Sequence, residues 1–247
     1  VGVVLHAANH SSADRGTGAA GRNAACLCAT VVLAGCSRAG PLSALDPAGP
    51  AAAAVTQVWW AMFWGSVLVT LLVTTLAVHA ARRRGPAPPR VSARALLVGG
   101  GVLLPGVAIV ALLVWGVPAG HALLPLPGAG PVFTVEVTAR QWQWEVRYPT
   151  LPDAAPRLNR IDLPAGQPVD VRVRTADVIH GFWVPRLGGK IDAIPGRTNV
   201  IRLQADAPGI YRGVCAEYCG TGHARMPIEV HAHGPDALQA ALAGGRP

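Results

Sequence analysis

Between Asp46 and Glu136 the chain has no acidic residue at all, and lysine occurs only once, at Lys190. Charged residues of both signs make up 14% of the 247 residues, against about 25% in ordinary soluble domains. With 51% apolar residues, this excludes intrinsic disorder, which requires low hydrophobicity and high charge. It also argues against an ordinary soluble enzyme. There is no phosphate-binding glycine loop, dinucleotide fingerprint or internal repeat, and no C-x-x-C-H motif for an attached c-type haem.

What charge there is lies unevenly. The formal net charge is +8, which on its own would suggest a nucleic-acid partner. Residues 1–130 hold eight Arg and two acids, a net of +6, whereas residues 131–247 hold thirteen basic and eleven acidic residues, a net of +2. The excess therefore falls in the apolar half, which is the mark of membrane topology and excludes a basic nucleic-acid-binding face. The five cysteines divide into Cys26, Cys28 and Cys36 near one end and Cys215 and Cys219 near the other, which is no disulfide framework.

Three apolar stretches organise the first half. Ala24 to Gly35 follows Arg22 and ends in L-A-G-C36, a pattern that resembles a bacterial lipoprotein signal. Residues 1–36 are thus expected to be a signal segment with Cys36 as the lipid-modified residue, and 37–54 a linker. Val55 to His79 and Leu96 to Val117 carry no Asp, Glu, Lys or Arg, and each can cross a hydrocarbon core of about 30 Å. Gly99, Gly100, Gly101 and Pro105 are tolerated in a membrane helix. Arg82, Arg83, Arg84, Arg90 and Arg94 lie between the two spans, so the loop 82–94 is predicted to be cytoplasmic. Trp59, Trp60, Trp64 and Trp115 then fall at the outer interface, where tryptophan collects. Residues 55–118 read as a transmembrane hairpin.

From Pro131 the pattern changes. Residues 132–139, 168–175 and 198–203 alternate apolar and polar, and shorter β-rich runs occupy 182–184, 209–214 and 227–230. Proline and glycine punctuate them, so 131–234 reads as a small β-sandwich or barrel. The tail, 235–247, has a short helical pattern from Pro235 to Leu242. Trp142 and Trp144 alternate with Gln, which would put both on one face. His231 and His233 alternate at a strand end and are expected to face solvent.

The chemistry concentrates in C215-A-E-Y-C219-G-T-G-H223-A-R-M226. Cys219, His223 and Met226 on one loop, joined by His180 from an earlier strand end, would make a mononuclear copper site of two imidazoles, a thiolate and a thioether. Such a site has no use for Cys215. Two thiolates, two imidazoles and a thioether hold two coppers if both sulfurs bridge, which describes the dinuclear centre called CuA. A C-x-x-x-C disulfide leaves His180, His223 and Met226 unexplained, and Met is a poor ligand for zinc.

This segment resembles subunit II of haem-copper cytochrome c oxidases, whose pattern is C-x-E-x-C-G-x-x-H-x-x-M-P. G181-F-W-V-P and K190-I-D-A-I-P-G-R197 resemble further segments of that family, and Q141-W-Q-W144 resembles its Trp-rich strand. The resemblance runs from about Ala51 to His231. It implies a fold of a transmembrane α-hairpin followed by an all-β cupredoxin-like sandwich.

Carried over residue by residue, the resemblance implies that Cys215 and Cys219 bridge two copper ions. One copper would add His180 and Met226, the other His223 and the backbone carbonyl of Glu217. The Glu217 side chain would reach a magnesium ion at the boundary with subunit I, and Trp142 would be the point of electron entry. The implied activity is acceptance of electrons from cytochrome c and their relay to haem in subunit I, which carries haem and CuB. There dioxygen is reduced to water with proton translocation. The implied partners are subunits I and III and the cytochrome, and the implied location is the bacterial inner membrane with the CuA domain on the periplasmic side.

Two departures bear on this. Many members have a Glu near the cytoplasmic start of the second transmembrane helix, where this chain has no acid. Many also present an acidic face to a basic cytochrome c, whereas residues 131–247 carry +2, which weakens steering of a basic donor. Two rival readings remain at this point. A membrane-tethered copper carrier would need His180, Cys219, His223 and Met226 but not Cys215 or Glu217. A quinol-oxidase subunit II would be a homologue without copper.

Overall fold

A computed structural model describes residues 39–82, 92–121, 124–126 and 131–243. The expected signal segment with Cys26, Cys28 and Cys36, and most of the Arg-rich loop, lie outside the described residues.

Helix α1 runs Pro50–Arg82 and helix α2 runs Ala93–His121; both are long and apolar enough to cross a membrane. Each is longer than the uncharged stretch that announced it. At 1.5 Å per residue α1 extends roughly 50 Å, so its ends reach beyond the hydrocarbon, and its first turn begins inside the expected linker 37–54. Pro50 opens α1, where a missing N–H costs nothing. Within α2, Leu96–Leu103 is wound as a π-helix that spans Gly99, Gly100 and Gly101. Apolar side chains of both helices, among them Leu68, Leu72, Leu97 and Val107, are exposed in the isolated chain, as expected of helices suited to a lipid surrounding.

Among the described residues, ten strands form two five-stranded sheets. The first has the order β3-β2-β1-β5-β8, built from Arg157–Leu158, Gln143–Arg147, Phe133–Arg140, Val169–Thr175 and Asn199–Leu203. The second has the order β4-β10-β9-β6-β7, built from Arg160–Pro164, Pro227–His233, Gly209–Cys215, His180–Trp183 and Lys190–Ala193. Neighbours pair antiparallel except β1 with β5 and β10 with β4, which run parallel. The alternation seen in the sequence puts Val135, Val137 and Ala139 of β1, and Val169, Val171 and Val173 of β5, into the core. Ile161, Leu163, Phe182, Ile228 and Val230 meet them from the second sheet.

Helix α3, Pro235–Ala243, closes the chain and matches the expected tail helix. Arg157 Nη2 donates to the carbonyls of Ala241 (2.8 Å) and Leu242 (2.9 Å), completing its last turn. The same guanidinium pairs with buried Asp162, which also accepts from Arg160 Nη2 at 2.7 Å and pairs with His233 Nε2 at 2.7 Å. His233 and His231 are thus half-buried and partnered, the latter by Glu229 at 3.2 Å. Their expected exposure to solvent does not hold, because Glu229 on β10 and Asp162 on the neighbouring strand β4 partner them on that face of the sheet.

The segment before α1 is fastened to the sandwich. Ala48 N–H donates to Arg186 O at 2.7 Å, Asp206 N–H donates to Ala48 O at 2.9 Å, and Arg186 pairs with Asp46 at 3.0 Å. Gly49 approaches so closely that a Cβ there would stand 2.0 Å from Gln204 O, so no larger residue fits. These contacts tie the start of the first membrane helix to the domain that carries the site.

Candidate metal centre

The site lies where β6 begins and β9 ends. His180 is the first residue of β6 and Cys215 the last of β9. The strands are antiparallel neighbours, with Phe182 opposite Cys215, so the register carries the imidazole toward the thiol. Past Cys215 the chain loops through Cys219, makes a single 3-10 turn at His223–Arg225, and reaches Met226 just before β10. Cys215 N–H donates to Met226 O at 3.1 Å, which draws the two ends of the loop together.

Five side chains and one carbonyl converge. Cys215 Sγ lies 3.8 Å from Cys219 Sγ. His180 Nδ1 is 3.9 Å from Cys215 Sγ, and His223 Nδ1 is 3.7 Å from Cys219 Sγ. Met226 Sδ stands 3.9 Å from Cys219 Sγ, and the Glu217 carbonyl oxygen 3.2 Å from Cys215 Sγ. His180, Cys215, Cys219 and Met226 are buried. The ligand atoms of His180, Cys215 and Cys219 all lie within 4.8 Å of one another. The sulfurs are too far apart for a disulfide, whose S–S bond is about 2.05 Å. Two sulfurs each about 2.3 Å from a shared metal, at a tetrahedral angle, stand roughly 3.8 Å apart. The donor set is therefore soft, dry and spaced to hold metal.

Electrostatics agree. Burial first, then the adjacent Cys215 sulfur, pushes the Cys219 thiol up to about 11. Two apposed thiols cannot both ionise here without a cation to offset the charge, and a bound metal is such a cation.

The surroundings fix the ligands. His180 Nε2 meets Asp177 Oδ1 at 2.8 Å, which leaves Nδ1 for the sulfur side. Burial raises the Asp177 carboxyl, but hydrogen bonds from His180, the Gln141 and Val178 N–H groups and Thr175 outweigh it and hold the group below the usual carboxylate range. Trp144 packs edge-on against His180 with ring centroids 6.0 Å apart, and closes the floor of the site.

Trp142 does not share a face with Trp144. It sits in the turn between β1 and β2, 39% exposed, while Trp144 is in the core. Its indole Nε1 donates to Cys219 O at 3.2 Å, and its ring lies on Gly222, where a Cβ would be only 2.3 Å from Trp142 Cδ2. The indole thus joins the surface to the metal loop. The Glu217 side chain points away from the sulfurs, is 45% exposed, and pairs with Lys190 Nζ at 3.7 Å. Asp177 was not singled out in the sequence; D-x-x-H, three residues from a ligand, is its only signal.

Residues 133–233 match the family model described as the periplasmic domain of cytochrome c oxidase subunit II. The chain is 32% identical over 234 residues to cytochrome c oxidase subunit 2 of Alkalihalophilus pseudofirmus, covering 87% of this chain and 65% of that relative's length. It is 30% identical over 211 residues to quinol oxidase subunit 2 of Bacillus cereus, covering 81% of this chain and 71% of the relative. A crystal structure of the periplasmic domain of subunit II of cytochrome oxidase of Bradyrhizobium japonicum is 32% identical, with a TM-score of 0.42, covering 48% of this chain and 94% of that one. These matches show that the chain, with its two membrane-spanning-capable helices ahead of a β-sheet domain, belongs to the oxidase subunit II family, which takes in subunits named for cytochrome c oxidase and for quinol oxidase.

Proposed function

We propose that the chain is subunit II of a respiratory cytochrome c oxidase. It takes electrons from a cytochrome c at a dinuclear copper centre and relays them to haem in subunit I, where dioxygen is reduced to water with proton translocation. One observation carries this reading: two unbonded thiols 3.8 Å apart, each with its own imidazole. A quinol-oxidizing subunit without copper has no need of that arrangement, and a single-copper carrier has no use for Cys215.

Copper, when bound, supplies a one-electron couple. Cys215 and Cys219 would bridge the two ions, with His180 and Met226 on one and His223 and the Glu217 carbonyl on the other. The chain's own residues do the rest. Asp177 fixes the tautomer and orientation of His180. Trp144, Met226 and Phe182 exclude water, so little solvent must reorganise around the site. The tie between β9 and β10 at Cys215 and Met226 holds the donors in one geometry. Trp142 offers an exposed ring for a donor to approach and an N–H bond into the backbone of a bridging cysteine. The exposed Glu217 carboxylate is the proposed magnesium ligand at the subunit I boundary. The sandwich stands on the periplasmic side of a bacterial inner membrane, the hairpin beside subunits I and III. Residues 1–36 form the proposed lipoprotein-type signal, with Cys36 as the lipidation site.

Rapid mixing of the assembled oxidase with reduced cytochrome c tests this. Fast oxidation of the cytochrome is expected, slowed by Trp142→Phe and abolished by Cys215→Ser. An oxidase that accepts electrons from quinol and not from cytochrome c would overturn it.

A further inference from the structure

The carbonyl oxygen of Cys219 accepts two side-chain N–H bonds from the same turn. Gln141 Nε2 donates at 2.8 Å and Trp142 Nε1 at 3.2 Å. Gln141 is also fixed on the other side of the site: its backbone N–H donates at 2.8 Å to Asp177 Oδ2, while Asp177 Oδ1 holds His180 Nε2, also at 2.8 Å. Through three hydrogen bonds and one carboxylate, Gln141 therefore connects a terminal imidazole to a cysteine of the metal loop.

We infer that Gln141 is a positioning residue for the metal centre: its side-chain amide pins the Cys219 peptide, sets the direction of Cys219 Sγ, and raises the reduction potential of the bound metal. The inference rests on the copper reading above. The geometry gives the reason. The peptide that follows Cys219 leads into Gly220, whose φ of +117° lies in a region most residues avoid. A carbonyl at such a turn is free to swing unless something holds it, and the stronger of its two bonds comes from Gln141. Partners of this kind, one shell out from a metal, set ligand orientation and commonly alter metal affinity 10- to 100-fold. The amide also turns the positive end of its N–H dipole toward a backbone that carries a thiolate. That favours the electron-richer, reduced state, so its removal lowers the potential. Without Gln141 the carbonyl keeps only the longer bond from Trp142, at 3.2 Å.

The side chain of Gln141 is exposed, so its replacement leaves the core untouched. The experiment uses the full-length chain purified in detergent, as wild type, Gln141→Leu and Gln141→Glu. For each, the readouts are copper affinity by chelator competition, reduction potential by redox titration followed in the visible spectrum, and melting temperature of the copper-free protein. The expected result is that both variants melt like the wild type without copper, bind copper about 10- to 100-fold more weakly, and show a more negative potential. Glutamate, nearly the same size but with no N–H at neutral pH, should fail as leucine does. Wild-type affinity and potential in both variants would overturn the inference. So would a loss confined to the copper-free melting temperature, which would mark a merely structural role. A wild-type chain that binds no copper would instead sink the functional reading on which the inference stands.

Discussion

Asp177 Oδ1 and His180 Nε2 meet at 2.8 Å, and that contact decides which imidazole nitrogen is left for metal. A carboxylate bonded to Nε2 keeps the proton there and leaves Nδ1 free, facing Cys215 Sγ at 3.9 Å. Asp177 is itself held by Thr175 and by the backbone of Gln141 and Val178. Replacing it should therefore disturb the metal more than the fold. Asp177→Ala is expected to weaken copper binding about 10- to 100-fold, measured by chelator competition on the purified chain. Affinity equal to that of the wild type would show that His180 is oriented by other means.

A second prediction concerns the end of the sandwich away from the metal. Burial raises the Asp162 carboxyl, but bonds from Arg160, His233 and Arg157 more than reverse this and hold it below the usual carboxylate range. A carboxyl held low in the folded state adds stability above its unfolded value of about 3.9, and that stability is lost as pH falls toward the folded value. Denaturant unfolding should therefore show the domain weakening below about pH 4. Asp162→Asn should cost about 3 kcal/mol at neutral pH, because it leaves Arg157 without its buried partner. It should also flatten the acid limb and loosen α3, which Arg157 caps. An acid limb of wild-type steepness in the variant would assign the effect to other carboxylates.

The third prediction is topological. Five Arg and no acid between the two spans predict a cytoplasmic turn. A cytoplasm-active reporter fused after Arg84 should work in cells, and a reporter active only after export should not. The reverse result would contradict the orientation and would put the metal loop on the wrong side for a periplasmic donor.

Much of this molecule is legible in its sequence, for reasons that differ by region. The membrane helices are announced by composition, since no charge interrupts residues 55–79 or 96–117. Four of the donors crowd into twelve residues, because the site hangs on one loop between two paired strands. His180 joins them as the imidazole that a soft-ligand copper site needs from an earlier strand end. What stayed hidden depends on contacts between residues distant in the chain. Strand β4 reads R-I-D-L-P with an acid at its centre, which looks like a loop until Arg157, Arg160 and His233 converge on Asp162. Trp142 and Trp144 alternate as a strand would, yet Trp142 belongs to the turn and β2 begins only at Gln143, with the Trp142 ring held on Gly222. Asp177 and Gln141 each lie beside a motif residue, but nothing in the sequence gives either a role at the site. Their part follows from the meeting of the β1–β2 turn with the loop before β6.

The account turns on how many metal ions the loop holds. Copper counting on the purified full-length chain, wild type and Cys215→Ser, tests this most directly. The account predicts two coppers per wild-type chain and a sharp fall in the variant, because both thiols are placed to bridge. One copper per chain, retained in Cys215→Ser, would contradict it and leave a mononuclear carrier in its place.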